Sequence, residues 1–239
     1  MPPVALFVPC FMSVLRPVDA QHAERVLRAL GDDVMLIEGR CCGQPAFNSG
    51  YRAEARATGR ELLRAAQPHA TVVVPAGSCV SMVRHHLPGT FEGEREAGAR
   101  SIGWRFREFT EYVASHPGLD ALKLSLPGVV AYHDSCHARR ELGLTGPVIG
   151  LLSRVEGLET RRLRYEDECC GFGGTFSVKQ PEISAAMMSA KLADAEATGA
   201  KALVSTDLSC LAHLEAGARG LGIRLETWTV AELLSRALP

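Results

Sequence analysis

The sequence predicts an α/β protein made of two tandem duplicated domains, each a small parallel sheet with helices on both faces. Three observations lead there. Short β-branched runs alternate with helical patterns along the chain, as in sheets whose strands are joined by helices. The eight cysteines form two sets of the same order and similar spacing. The segments leading into matching cysteines also resemble each other. At 239 residues and roughly 150 residues per domain, the length suits one large domain or two small ones, and the repeat decides for two. The domains are placed at residues 1–122 and 123–239, because Pro117-Gly118 and Pro127-Gly128 punctuate the stretch between the copies.

In the first copy, Val4 to Val8, Val34 to Ile37 and Thr71 to Val74 read as buried strands. Ala23, Val26, Leu27 and Leu30 mark one amphipathic helix, and the Ala-, Arg-, Glu- and Leu-rich run from about Arg52 to Ala66 marks another. In the second copy, Val129 to Tyr132 parallels the strand before Cys10, and Ala202 to Ser205 parallels the strand before Cys79. Trp104 opens an apolar-periodic segment ending near Ala114, and Trp228 opens one ending near Ala237. Matching cysteines are offset by 126, 128 and 131 residues, a repeat far longer than a solenoid unit.

Composition narrows the partners. Lys plus Arg is 26 and Asp plus Glu is 27, a net charge of −1, so no global field favours nucleic acid or an anionic membrane. With 46% hydrophobic and 22% charged residues, the mixture is that of a globular protein. The apolar stretch Val4 to Leu15 is interrupted by Pro9, Cys10 and Ser13 and is too short to span a bilayer. It also lacks the basic start and cleavage site of a signal peptide, and the expected location is the cytoplasm.

The cysteines carry the chemistry. Cys10, Cys41, Cys42 and Cys79 form one set; Cys136, Cys169, Cys170 and Cys210 form the other. In each the order is Cys, then Cys-Cys-Gly, then Cys, and most follow a predicted strand. Ligands of parallel sheets bind beyond the carboxyl ends of the strands, so each set should converge at one edge. Four readings compete. Buried cysteine is an ordinary small hydrophobe, which does not explain two matching sets. Structural zinc prefers paired ligands on a C-x₂₋₄-C knuckle, absent here. A thiol–disulfide centre leaves Cys10 and Cys79 without a role. An iron–sulfur cluster uses four thiolates per half, and adjacent side chains such as Cys41 and Cys42 diverge toward different irons. Gly43 and Gly171 then let the backbone turn close to a bulky ligand. Gly171-Phe172-Gly173-Gly174-Thr175 is a candidate anion nest, although no Walker or dinucleotide fingerprint is present. Met82 and His213 lie three residues after Cys79 and Cys210; Met82 reads as core, His213 as an alternative ligand. Arg40, Arg84, His85, His86, His137, Arg139 and Arg140 are candidates to offset cluster charge, with Arg84 and Arg139 the candidates to pair a substrate carboxylate.

The duplicated arrangement resembles the CCG-type domain found in the cysteine-rich subunit of heterodisulfide reductase and in the glycolate and glycerol-3-phosphate oxidoreductase iron–sulfur subunits. The segments Cys41-Cys42-Gly43-Gln44-Pro45-Ala46-Phe47-Asn48-Ser49-Gly50-Tyr51, Gly77-Ser78-Cys79 and Cys169 to Lys179 are similar to the lactate utilization protein A family. That resemblance implies an iron–sulfur subunit, with one or two [4Fe-4S] clusters per chain, in a complex oxidising L-lactate to pyruvate. It also implies two partner proteins, one with ferredoxin-like cysteine motifs. The chain departs from the heterodisulfide-reductase pattern in having Met82 and His213 where those relatives complete a C-x-x-C. The alternatives are a thiol–disulfide reductase subunit and a zinc-stabilised interaction module.

Overall fold

Residues 3–239 are described by a computed structural model. The first half runs β1 (Val4–Phe7), α1 (Cys10–Leu15), α2 (Val18–Ala29), β2 (Val34–Ile37), α3 (Gln44–Asn48), α4 (Arg52–Ala66), β3 (Val72–Val74), α5 (Gly77–Ser81), α6 (Glu94–Gly103), β4 (Phe106–Glu108) and α7 (Phe109–Ala114). A 3₁₀ turn over Pro117–Ala121 leads into the second half. There the chain forms β5 (Ser125–Tyr132), α8 (Cys136–Arg140), α9 (Thr145–Leu152), β6 (Glu156–Arg162), α10 (Thr175–Lys179), α11 (Pro181–Ala197), β7 (Ala202–Ser205), α12 (Leu208–Leu221), β8 (Glu226–Thr229) and α13 (Val230–Ala237).

Each half builds one four-stranded, wholly parallel sheet. The orders are β2-β1-β3-β4 and β6-β5-β7-β8, so the duplication extends to topology. Registers correspond as well: Ala5 pairs with Val72 in the first sheet, and Ala131 with Leu203 in the second. The period-2 alternation of strand side chains then sorts the core into layers. Val4 and Leu6 of β1, Val73 of β3, Val130 and Tyr132 of β5, and Ala202 and Val204 of β7 share one buried cluster with α2, α7, α9 and α13. Ala5, Phe7, Val72 and Val74 point the other way, toward α4 and α6. Ala131 and Leu203 point toward α11 and α12. The predicted helices on both faces are present, and the inner ones are common to both halves: α2 packs on α13, and α7 on α9.

Two details differ from the sequence-based expectation. The segments beginning at Trp104 and Trp228 are not single periodic stretches but a short strand followed by a helix, β4–α7 and β8–α13. Their junctions match, with Glu108 and Thr229 capping the helices that begin there. The tryptophans do not match: Trp104 precedes its strand and is 55% exposed, whereas Trp228 lies within β8 and is buried. The edge strand β6 is the second difference. Its run Glu-Gly-Leu-Glu-Thr-Arg-Arg has no buried residue, so neither alternation nor apolar content marks it.

Glu108 closes a capping box on α7. Its Oε2 accepts from the backbone N–H of Thr110 (2.7 Å) and Glu111 (3.3 Å), while Glu111 accepts from the backbone N–H of Glu108 (3.2 Å). Burial pushes its carboxyl from 4.5 up to about 8. The folded state therefore binds a proton that the unfolded state releases above pH 4.5, and stability from this group is lost as pH rises toward 8. Glu108→Gln keeps an acceptor for the cap and is expected to flatten this dependence by about 1–3 kcal/mol between roughly pH 5 and 8. Urea midpoints across that range check it, and an unchanged slope would contradict the assignment.

Candidate metal centres

In a sheet of order 2-1-3-4 the winding reverses between β1 and β3, which opens a crevice at their carboxyl ends. Cys10 opens α1 directly beyond β1, Cys79 lies in α5 beyond β3, and Cys41-Cys42 occupy the loop after β2. The Cys10 thiol lies 3.4 Å from the Cys41 sulfur, and the Cys42 thiol 3.4 Å from the Cys79 sulfur. The adjacent pair thus faces two different partners. The second half repeats the plan, with Cys136 opening α8 beyond β5, Cys210 in α12 beyond β7, and Cys169-Cys170 in the loop after β6. All eight are free thiols.

The glycine after each pair is sterically required. Gly43 has φ +87°, and a Cβ there would lie 2.7 Å from the Ala55 carbonyl oxygen. Gly171 has φ +88°, with the Ser184 carbonyl oxygen 2.6 Å from the same position. In these turns the N–H of Gly43 donates to Cys41 Sγ and that of Gly171 to Cys169 Sγ, both at 3.4 Å. Hydrogen bonds from Cys10 and Cys42, aided by Gly43 N–H, pull the Cys41 thiol down to about 3. Cys136, Cys170 and Gly171 do the same for Cys169, to about 2. Their donors Cys10, Cys42, Cys136 and Cys170 are pushed up, first by those same bonds and then by burial. Each half therefore holds one cysteine whose thiol its neighbours acidify, and thiolate is the form in which cysteine binds a soft metal.

The other expected residues disperse. Met82 is fully buried in the core packed under the first site. His213 lies 3.3 Å from the Ser184 hydroxyl, and its ring packs at a tilt against Phe172, with centroids 5.8 Å apart. With Phe11 and Phe172 it lines an open groove of about 820 Å³. Arg84 is committed to the Phe106 carbonyl (2.7 Å) and to Glu111 (2.9 Å), whereas Arg139 lies 3.2 Å from Glu166 and its buried Nη1 has no hydrogen-bond partner among the described residues. His86 pairs with Glu141, Arg140 donates to the Asp167 carbonyl, and Arg40 to the Gly39 carbonyl. Of the candidate cations, His137 comes nearest a thiol, its Nδ1 lying 3.6 Å from Cys136 Sγ.

One residue has no counterpart among the sequence-based candidates. His133 is 1% exposed, and its ligand nitrogen lies with the sulfurs of Cys170 and Cys210 inside a group 4.8 Å across. Among the described residues, neither of its ring nitrogens has a hydrogen-bond partner. The available signal is its place three residues before Cys136, where the first copy has Phe7 three residues before Cys10.

The two sites are joined by a short polar bridge. The buried Asp207 accepts from Ser78 N–H (2.7 Å) and Ser78 Oγ (3.0 Å) across the halves, and from Ser209 Oγ (2.8 Å) in its own. Ser78 adjoins Cys79, and Ser209 adjoins Cys210. A second link runs from Gln44 Nε2 to His137 Nε2 at 3.3 Å, and from the other nitrogen of that ring to Cys136.

A family model described as a cysteine-rich domain, CCG, matches residues 4–84 and again 130–215, each range enclosing one four-cysteine set. Lactate utilization protein A 1 of Bacillus anthracis is 35% identical over 238 residues, covering 98% of this chain and 98% of that protein. The chain belongs to the lactate utilization protein A family. A second member, lactate utilization protein A 1 of Bacillus cereus, is 34% identical over 235 residues, covering 97% of this chain and 98% of its own. A hypothetical protein from Helicobacter pylori has a crystal structure that superposes with a TM-score of 0.66 at 9% identity. It matches 99% of this chain, which spans 49% of that one, and the likeness is one of fold. Among the described residues of this family member, no helix is long and apolar enough to cross a membrane.

Alanine at Gly43 or Gly171 is expected to cost about 1–3 kcal/mol, because a Cβ meets backbone at a left-handed position. Each is expected to reduce metal uptake at its own half, read by denaturation and by metal content per chain. Asp207→Ala removes three hydrogen bonds to a buried carboxylate and is expected to destabilise the chain by about 2–4 kcal/mol. Asp207→Asn should recover part of that loss in the same urea titration.

Proposed function

We propose that this chain is an iron–sulfur electron-transfer subunit of a complex that oxidises L-lactate to pyruvate. The observation that carries the reading is the gathering of four cysteines at the winding reversal of each sheet, twice, with Asp207 bridging the two sites. Lactate enters through the names of the relatives, which are lactate utilization proteins.

The residues fit such a group. Soft thiolate donors suit iron–sulfur clusters, the left-handed glycines leave room for close backbone approach, and His133 offers buried nitrogens that nothing else satisfies. Cys10, Cys41, Cys42 and Cys79 would hold one group; Cys136, Cys169, Cys170 and Cys210 would hold the other. Clusters held there would supply one-electron transfer, the chemistry needed to carry the two electrons of lactate oxidation onward singly. The chain's own part is to fix the donors, shield them, and keep the sites close through Ser78, Asp207 and Ser209. Gly43 N–H and Gly171 N–H donate to cluster-binding sulfurs, and such bonds tune a cluster's potential. The proposed partners are two other lactate-utilization proteins, one with ferredoxin-like cysteine motifs, which would receive the electrons in the cytoplasm.

A zinc-stabilised interaction module is the second reading, favoured by the compact His133, Cys170 and Cys210 grouping, a donor set typical of structural zinc. Protein purified without oxygen separates the two. Electron transfer predicts about four irons and four sulfides per filled half, with a broad visible band that bleaches on reduction. Cys42→Ser is expected to lose the first site's iron and lactate oxidation together. Stoichiometric zinc in a colourless protein that reconstitution leaves unchanged would overturn the reading.

A further inference from the structure

The two halves share topology and cysteine order, yet the linings of their sites differ. Strand β1 runs into Phe7-Val8-Pro9-Cys10, and β5 into His133-Asp134-Ser135-Cys136. Likewise Val74-Pro75-Ala76 leads toward Cys79, and Ser205-Thr206-Asp207 toward Cys210. The second lining is polar throughout and buried throughout. Most of it is accounted for by internal bonds. Asp134 accepts from the Tyr132 hydroxyl (3.2 Å), Ser135 meets Thr206 (3.4 Å), and Asp207 holds Ser78 and Ser209. Among the described residues, His133 alone in this lining has no partner for its side chain, on either ring nitrogen.

Its direction is set by the sheet. The backbone N–H of His133 donates to the Val204 carbonyl (2.8 Å), which prolongs the β5–β7 ladder by one residue. Alternation then puts its ring on the face of Ala131 and Leu203, the face on which Cys170 and Cys210 are packed. Phe7 occupies the same register position in the first sheet. It faces the corresponding side and packs edge-on against Phe106, with ring centroids 6.4 Å apart. A phenyl ring has nothing to offer a metal.

We propose that His133 ligates the group held by the second half through an imidazole nitrogen, making that site a mixed thiolate–imidazole centre while the first half uses thiolates alone. The inference deepens the electron-transfer reading and rests on it for the identity of the metal, though not for the ligand. A buried imidazole with a free lone pair, grouped with two cysteine sulfurs inside 4.8 Å, is a donor set suited to borderline metals. Where the imidazole takes the place of one of the four thiolates, the centre carries one negative charge fewer, and such nitrogen ligation raises the potential of an iron–sulfur centre relative to thiolate alone. Electrons arriving at the chain would therefore settle on the second site.

Pulsed EPR on the full chain, reconstituted with iron and sulfide, reduced, and grown with either ¹⁴N- or ¹⁵N-histidine, tests the ligand directly. The expected result is a strong histidine-nitrogen coupling on one of two cluster signals. In His133→Phe that coupling disappears while the other signal persists, and the affected centre reduces at lower potential. The isotope comparison in the unsubstituted chain needs no variant and survives a folding failure of His133→Phe. Absence of the coupling, its survival in His133→Phe, or its loss in His137→Gln or His213→Phe instead would overturn the proposal. Should no iron be retained, the electron-transfer reading falls on its own. The same labelled chain loaded with Co²⁺ then decides the ligand: nitrogen coupling that vanishes in His133→Phe supports it, and none refutes it.

Discussion

Everything in this molecule hangs on the sharing of one apolar layer by two sheets. Four-residue strands bury little by themselves, and a parallel sheet needs cover on both faces. Here the inner cover is common property: α2 and α7 from one half and α9 and α13 from the other form a single cluster with the inward residues of both sheets. Once that layer is packed, the two sheets have a set relation, and so do the carboxyl ends of their strands. The thiols are brought together by local rules within each half. The approach of one set to the other is settled by the core beneath them.

The bridge through Asp207 depends on that relation. A carboxylate 2% exposed is tolerable only with donors in place, and two of its three come from Ser78 in the other half. The interface is therefore polar at the top, beside the cysteines, and apolar below. Gly77 lies against Ala138, where even a methyl group would come within 3.4 Å of the Ala138 side chain, so α5 and α8 sit in close contact. The arrangement favours short paths between the sites over bulky insulation.

Much of this is legible in the residues. The strand Val34–Ile37 and the helix Arg52–Ala66 appear with the bounds their patterns suggest, because one is a wholly apolar run and the other a long stretch of helix formers. The elements that are not legible have physical reasons. Strand β6 is an edge strand with no buried side chain, and β4 is three residues long. The shared inner layer leaves no local mark either, since a helix packed on a helix of the other half shows the same periodicity as one packed on its own half. His133 is hidden in a different way. The cysteine motifs are marked by residues on their carboxyl side, whereas His133 stands three positions upstream of Cys136. Only the β5–β7 ladder shows that its side chain falls on the face of Cys170 and Cys210. His213, three residues downstream of Cys210 and in plain view, packs at a tilt against Phe172 beside Ser184.

The common layer also says something about ancestry. A single half, made alone, would expose the sides of α2 and α7 that pack on α13 and α9. The pairing is reciprocal, as in two copies related by a two-fold axis. The present chain has the form of a tethered symmetric pair. Once both partners were encoded in one gene they were free to diverge, one keeping a phenylalanine at the strand end and the other a histidine. Symmetry supplied the scaffold, and fusion permitted a division of labour that no homodimer can have.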